Sequence, residues 1–287
     1  MLLNWKNRGA YWRLMRIDKP IGIYLLLWPT VWSLLWATHG LPPLHIAVIF
    51  VMGVILMRSA GCVINDYADR GVDGAVERTQ ARPIVSGEVQ PNEALELFFL
   101  LVVCAFGFVL FLNTKTIILS IGALCLASLY PFMKRYTYFP QVVLGAAFGW
   151  SIPMAFMAIM GELPTWLWLI YIANLTWTVA YDTAYAMVDR DDDIAIGVKS
   201  TAILFGRFDV TIIVVLNMVT LMLLAYVGWL TNLHPLFYVS LAVAAVMFAY
   251  QFRLIKTRQR DACFAAFLHN HWVGLSIAIG IAVGLLL

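Results

Sequence analysis

Long apolar runs, broken by short polar turns, make up most of this chain. A bilayer-spanning helix needs about 20 mostly apolar residues. Runs of that kind fall near 21–38, 44–64, 93–111, 116–133, 138–160, 165–188, 209–230, 235–252 and 264–287. The last run is the weakest, because His269, Asn270 and His271 interrupt its start. The breaks are rich in helix stoppers: Gly40-Leu41-Pro42-Pro43, Gly161-Glu162-Leu163-Pro164 and Asn232-Leu233-His234-Pro235. The pattern predicts an all-α integral membrane protein of about nine transmembrane helices, with residues 1–287 as one polytopic domain.

Composition narrows the function classes. The chain is 62% hydrophobic and 12% charged, against about 45–50% and about 25% in soluble domains. That charge does not cover a water-facing surface, which excludes a soluble enzyme, a disordered tail and a nucleic-acid-binding module. Cys62, Cys104, Cys125 and Cys263 lie in or beside apolar runs and form no CxxC pair. They read as packing or lipid-facing residues rather than a disulfide framework or zinc site. The basic N-terminus has no small-residue cleavage site after its first apolar run, so that run is expected to be a retained span.

Charge position sets the expected topology. Seventeen of the nineteen basic residues fall in the N-terminal segment or in the loops after spans two, four, six and eight. Lys115 lies on the other side and Arg58 within span two. The positive-inside rule then puts the N-terminus in the cytoplasm. Of the sixteen acidic residues only Glu162 lies outside, although that rule does not constrain acids.

Two acidic clusters stand out on that side. One runs Asn65-Asp66-Tyr67-Ala68-Asp69-Arg70-Gly71-Val72-Asp73; the other holds Asp182 and Asp189-Arg190-Asp191-Asp192-Asp193. Read as helices, Asn65, Asp69 and Asp73 share one face, and so do Asp182, Asp189 and Asp193. Carboxylates one turn apart repel and need a cation. All-oxygen ligands suit a hard ion, and Mg²⁺ favours few carboxylates plus waters and substrate phosphates. Asp191 and Asp192 point off that face and are expected to be solvated. Asp182 lies nearly two turns inside span six, where an ionisable group marks a functional site.

Basic residues adjoin both clusters: Arg70, Arg78 and Arg82 after the first, Lys199 after the second, and Lys134 and Arg135 between spans four and five. Carboxylate–Mg²⁺ pairs with Arg and Lys donors form a diphosphate clamp. Gly197-Val198-Lys199-Ser200 is not a P-loop, which needs Gly and Lys adjacent after a strand. Arg58 lies seven residues before Asn65, on the same face and about 10 Å deeper. It is expected to face the pocket, meet an anionic substrate group, and pair meanwhile with an acid such as Asp182. Trp28, Trp32 and Trp36 stack at helical spacing, a pattern more often packing than a cofactor surface, and the five histidines form no metal set.

Asn-Asp-x-x-Asp-x-x-x-Asp at 65–73, the run Tyr181-Asp182-Thr183-x-Tyr185-Ala186-Met187-x-Asp189, and Arg16-x-Asp18-Lys19-Pro20-Ile21-Gly22 resemble the UbiA superfamily of intramembrane aromatic prenyltransferases. The match runs nearly end to end. The second motif and Lys199-Ser200-Thr201 look most like its 4-hydroxybenzoate branch. The resemblance implies a helical bundle around a central cavity with both motifs at its cytoplasmic mouth. Asn65, Asp69, Asp73, Asp189 and Asp193 would hold Mg²⁺ against a polyprenyl diphosphate. Arg70, Arg78, Arg82, Lys134, Arg135 and Lys199 are suited to the diphosphate or the benzoate carboxylate. Tyr130 or Tyr185 would face the allylic cation, and Asp182 or Asp189 would deprotonate the phenol.

The implied substrates are polyprenyl diphosphate and 4-hydroxybenzoate, in ubiquinone synthesis at a bacterial inner membrane. The partner is then the lipid bilayer, with no nucleic acid and no required protein. Dihydroxynaphthoate or haem as acceptor keeps the same chemistry. A divalent-cation transporter is disfavoured, since no acid continues towards the other face. Asp73-Gly74 superficially suits a phospholipid-head-group transferase, but the downstream Gly-x-x-x-Asp-x-x-x-Asp expected of one is missing from this chain.

Overall fold

Left-handed residues and prolines end the helices at the expected turns. His39 (φ 49°) closes the first long helix before Pro42-Pro43, Gly161 (φ 74°) closes another, and Asn232 (φ 53°) precedes Pro235. The computed structural model describes residues 3–71, 73–75 and 79–287. Among them it is all-helical: α1 (Arg8–Leu14), α2 (Ile21–Thr38), α3 (Leu44–Asp69), α4 (Pro91–Val109), α5 (Thr114–Tyr136), α6 (Pro140–Gly149), α7 (Ser151–Met160), α8 (Leu167–Ala186), α9 (Arg190–Ile196), α10 (Thr201–Phe205), α11 (Asp209–Leu230), α12 (Leu236–Ile255) and α13 (Arg260–Leu286).

Eight helical stretches among the described residues are long and apolar enough to cross a membrane. The remaining expected span, 165–188, corresponds to α8, which has the length but carries Asn174, Thr176, Thr178, Asp182 and Thr183. Two of its threonines bond hydroxyls on α10 and α11. Thr176 and Thr220 hydroxyls lie 2.8 Å apart, and Thr183 and Thr201 2.7 Å. The span expected at 138–160 is broken between α6 and α7. Pro153 has no N–H to offer the preceding turn, and the Met154 N–H reaches the Trp150 carbonyl only at 3.5 Å. The span with the polar interruption is one helix, α13. There Asn270 accepts from Trp177 Nε1 at 2.9 Å and donates to the Ala266 carbonyl at 2.9 Å.

The helices form a ring. α8 packs on α6, α11 and α13; α13 packs on α12 and α2; α2 packs on α7, and α3 on α4. The largest buried cluster holds Trp32, Trp36, Phe156, Trp177, Phe237 and Ile277. Trp32 stacks on Trp177 with centroids 5.3 Å apart and donates to the Gly274 carbonyl at 3.0 Å. The tryptophan stripe therefore serves packing, as expected. Pro29 interrupts the α2 hydrogen-bond ladder, and Thr30 Oγ1 and Ser33 Oγ cap carbonyls of Leu26 and Pro29 at 2.8 and 2.5 Å. At one end Lys115 reaches the Gly161 carbonyl at 3.3 Å, joining two turns expected on the same side. α4 and α5, although consecutive, scarcely touch, and a cavity fills the space beside them.

Candidate active site

Both acidic clusters open into one cavity of about 1310 Å³. Asn65, Asp66, Asp69, Asp73, Asp182, Asp189 and Asp193 line it, with Arg16, Arg58, Arg82, Tyr130, Lys134, Tyr185 and Lys199. Its other arm is apolar, bounded by Ile49, Phe50, Gly53 and Val54 of α3, Val109 of α4, Ile121 of α5 and Met154 of α7. At 1.5 Å per residue, the lining from Asp69 back to Ile49 extends about 30 Å along α3. The cavity thus runs from a charged mouth through most of a membrane's thickness.

The first cluster does not form a single helical face. α3 ends at Asp69, and Asp73 sits on a separate 3₁₀ turn, Asp73–Ala75. The turn still brings Asp73 to the cavity. Asp66, Asp69 and Asp73 are 2%, 0% and 5% exposed, so their charges need partners. Arg16 donates to Asp66 Oδ1 at 2.7 Å. Arg82 Nη1 bridges Asp66 Oδ1 at 3.0 Å and Asp73 Oδ2 at 2.6 Å. Lys134 pairs with Asp69 Oδ2, while Asp69 Oδ1 is buried with no partner. Burial pushes the Asp73 carboxyl above its ordinary range; Arg82 opposes this, and Asp69 and Asp66 reinforce it.

The second cluster is likewise divided. α8 ends at Ala186 without a proline or glycine, and Asp189 is the residue before α9, which carries Asp193. The expected shared face of Asp182, Asp189 and Asp193 is therefore formed by two helices meeting at a bend. Asp191 and Asp192 do not line the cavity, and Asp192 pairs at the surface with Arg260 at 3.2 Å.

Two predicted substrate-binding residues lie off the cavity. Arg70 is exposed; it folds back to donate to the Tyr67 carbonyl at 2.6 Å and lies over the Tyr67 ring. Arg135 donates to the Ala68 carbonyl at 2.5 Å, holding the last turn of α3. Arg78 lies outside the described residues. Lys199 lines the cavity, donates to the Tyr136 carbonyl at 3.3 Å, and its own N–H bonds the Lys134 carbonyl at 3.0 Å.

Arg58 reaches the cavity as expected, and its hydrogen bond goes to Cys62. Its Nη1 lies 2.6 Å from Cys62 Sγ, its Cζ stands 5.8 Å from the Phe148 ring centroid, and its buried Nε has no partner. Gly22 leaves room for the guanidinium. Arg16, Asp66 and Gly22 also line the cavity, although the acidic and basic clusters alone do not single them out. Arg16 and Gly22 belong to a motif already noted, and Asp66 lies one turn before Asp69, the signals that pointed to them.

Among the described residues, no three Asp, Glu, His or Cys side chains converge on one ion. The donors nevertheless fit a hard cation. They are all oxygens, and Asp69 Oδ1 is buried, unpartnered and at the cavity. An ion here would complete its shell with oxygens brought by a ligand.

Residues 26–274 match the UbiA prenyltransferase family. The chain is 60% identical to the 4-hydroxybenzoate octaprenyltransferase of Pseudoalteromonas atlantica, over 95% of this chain and 96% of that one. It is equally 60% identical to the same-named enzyme of Cronobacter sakazakii, over 96% of each. A UbiA homolog from Aeropyrum pernix K1, solved in its apo form, has a similar fold, with TM-score 0.80 at 24% identity over 91% of this chain and 97% of that one. So does a UbiA homolog from Archaeoglobus fulgidus bound to GPP and Mg²⁺, with TM-score 0.76 at 20% identity over 96% and 98%.

Proposed function

The chain belongs to the UbiA prenyltransferase family, and from that premise we propose that it transfers a polyprenyl group from polyprenyl diphosphate to 4-hydroxybenzoate. The product carries the chain on the ring carbon ortho to the phenol, diphosphate is released, and the step serves ubiquinone biosynthesis. The observation that carries this reading is the two-ended cavity. Acids and bases suited to a cation–diphosphate complex meet at its mouth, and an apolar arm long enough for an isoprenoid tail leads away from them.

Asn65, Asp69 and Asp73 on one side, and Asp189 and Asp193 on the other, would hold Mg²⁺. The ion, when bound, supplies charge neutralisation for the departing diphosphate. Arg82, Lys134 and Lys199 grip diphosphate oxygens and stabilise the negative charge that develops as the allylic C–O bond breaks. Tyr130 and Tyr185 offer ring faces to the allylic cation, and the apolar walls keep water from it. Arg58 receives the carboxylate of the acceptor, which orients the ring. The ring carbon then bonds the allylic carbon and gives its proton to the released diphosphate, restoring aromaticity. Asp182 or Asp189 takes the phenol proton. Arg70 and Arg135, turned onto backbone carbonyls, are left out of this assignment.

The positive-inside pattern supports a mouth facing the cytoplasm, where diphosphate and 4-hydroxybenzoate are in solution, and the bacterial relatives support an inner-membrane location. The test is an assay in membranes with labelled 4-hydroxybenzoate, Mg²⁺ and prenyl diphosphates of graded length. Ortho-prenylated 4-hydroxybenzoate is the expected product. Transfer only to dihydroxynaphthoate or haem would reassign the acceptor, and no transfer to any of them would reject the reading.

A further inference from the structure

α9 raises a positional problem. It has seven residues and buries none of their side chains, and so short a helix does not hold itself in place. Yet Asp189 and Asp193, which it delivers to the cavity, must be fixed closely. The anchoring is polar and lies behind the cavity. Arg190, the residue after Asp189, donates from Nη1 to Asp209 Oδ2 at 2.9 Å and from Nη2 to the Gly206 carbonyl at 2.8 Å, and also bonds the Ala202 carbonyl.

Asp209 is 0% exposed at the start of α11. Arg258, in the turn before α13 with φ 54°, donates to it from Nη2 at 2.8 Å and from Nε at 3.1 and 3.2 Å. Arg258 Nη2 also bonds the Arg207 carbonyl at 3.0 Å. None of Arg190, Asp209 and Arg258 lines the cavity. One buried carboxylate thus ties together α9, the turn before α11 and the turn before α13.

We infer that Asp209 is a positioning residue for the second carboxylate cluster, holding Arg190 and through it the register of Asp189 and Asp193 at the cavity mouth. The inference rests on the reading of Asp189 and Asp193 as ligands of the cation–diphosphate complex. A buried carboxylate between two arginines is a costly way to add stability alone. Its value here is geometric, because Arg190 makes three bonds from a planar fork and so fixes the backbone it springs from.

The test uses the full-length protein in detergent, with inorganic diphosphate and Mg²⁺ as the binding probe and prenyl transfer as the second readout. Asp209→Asn should bind Mg²⁺–diphosphate at least 10-fold more weakly and lose at least 10-fold in kcat. Its KM for 4-hydroxybenzoate should stay within 2-fold, because Arg58 is untouched. Arg190→Lys should act alike, and the double variant should be no worse than the worse single. An Asp209→Asn protein that melts earlier but keeps wild-type diphosphate binding and kcat would overturn the inference and leave a structural role. If that variant is not recovered folded, Arg190→Lys decides by the same criteria. Wild-type protein without cation-dependent diphosphate binding would instead overturn the functional reading itself.

Discussion

Gly22 of α2 and Arg58 of α3 share a space that has no room for a methyl group: a Cβ at position 22 would strike the Nε, Nη2 and Cζ atoms of Arg58. The clash falls on the far end of a flexible side chain, so Gly22→Ala should displace the guanidinium and leave the helices packed. Charged hydrogen bonds are worth about 1.5–3 kcal/mol, so the KM for 4-hydroxybenzoate should rise about 10- to 100-fold at a near-normal melting temperature. Arg58→Ala should do the same. Unchanged KM in both variants would remove the acceptor carboxylate from Arg58.

Asp69→Ala and Asp189→Ala should each lower prenyl transfer by at least about 100-fold, given that each removes stabilisation of developing charge. Membrane insertion and monodispersity in detergent should persist. Full activity of either variant with Mg²⁺ present would refute its place in the cation site.

Chelation should abolish turnover, and Mg²⁺ should restore it better than Ca²⁺, whose larger shell suits more ligands than this mouth offers. Activity that survives exhaustive chelation would show that the carboxylates serve another purpose.

Gly53 lines the apolar arm sixteen residues before Asp69, and a Cβ there meets nothing within 4 Å. That puts it about 24 Å from the charged mouth along α3. Gly53→Phe should block long donors while sparing short ones, so kcat/KM with an octaprenyl donor falls at least about 10-fold and that with geranyl diphosphate holds. Equal effects on both donors would place the tail elsewhere.

Local chemistry made α2 and α11 legible to the residue, because Pro20, His39 and Asn232 stand at or just beyond their ends. The α6–α7 break was harder to read, since Pro153 acts on the turn before it and a continuous apolar run conceals the fault. Spacing singles out Asp73 and Asp193, and both line the cavity, yet the geometry behind that spacing is different. Two bends, not two continuous helices, bring them to the cavity. Arg70 and Arg135 look equivalent to Arg82 and Lys134 in a list of basic residues. Only the folded arrangement separates them: Lys134 and Arg135, neighbours on α5, reach the Asp69 carboxylate and the Ala68 carbonyl, while Arg82 meets Asp66 and Asp73 and Arg70 turns back to Tyr67. The pairing of Arg16 with Asp66 joins residues 50 positions apart and has no local signal.

The three carboxylates of the first cluster are paired with Arg16, Arg82 and Lys134. On the proposed function, loading the site would be an exchange of counter-ions rather than an addition of charge: the carboxylates would turn to the cation, and Arg82 and Lys134 to the diphosphate. Departure of the product would reverse the exchange. The same ion pairs that keep these carboxylates from repelling one another would then compete with the leaving diphosphate for its basic partners, and so help to drive turnover.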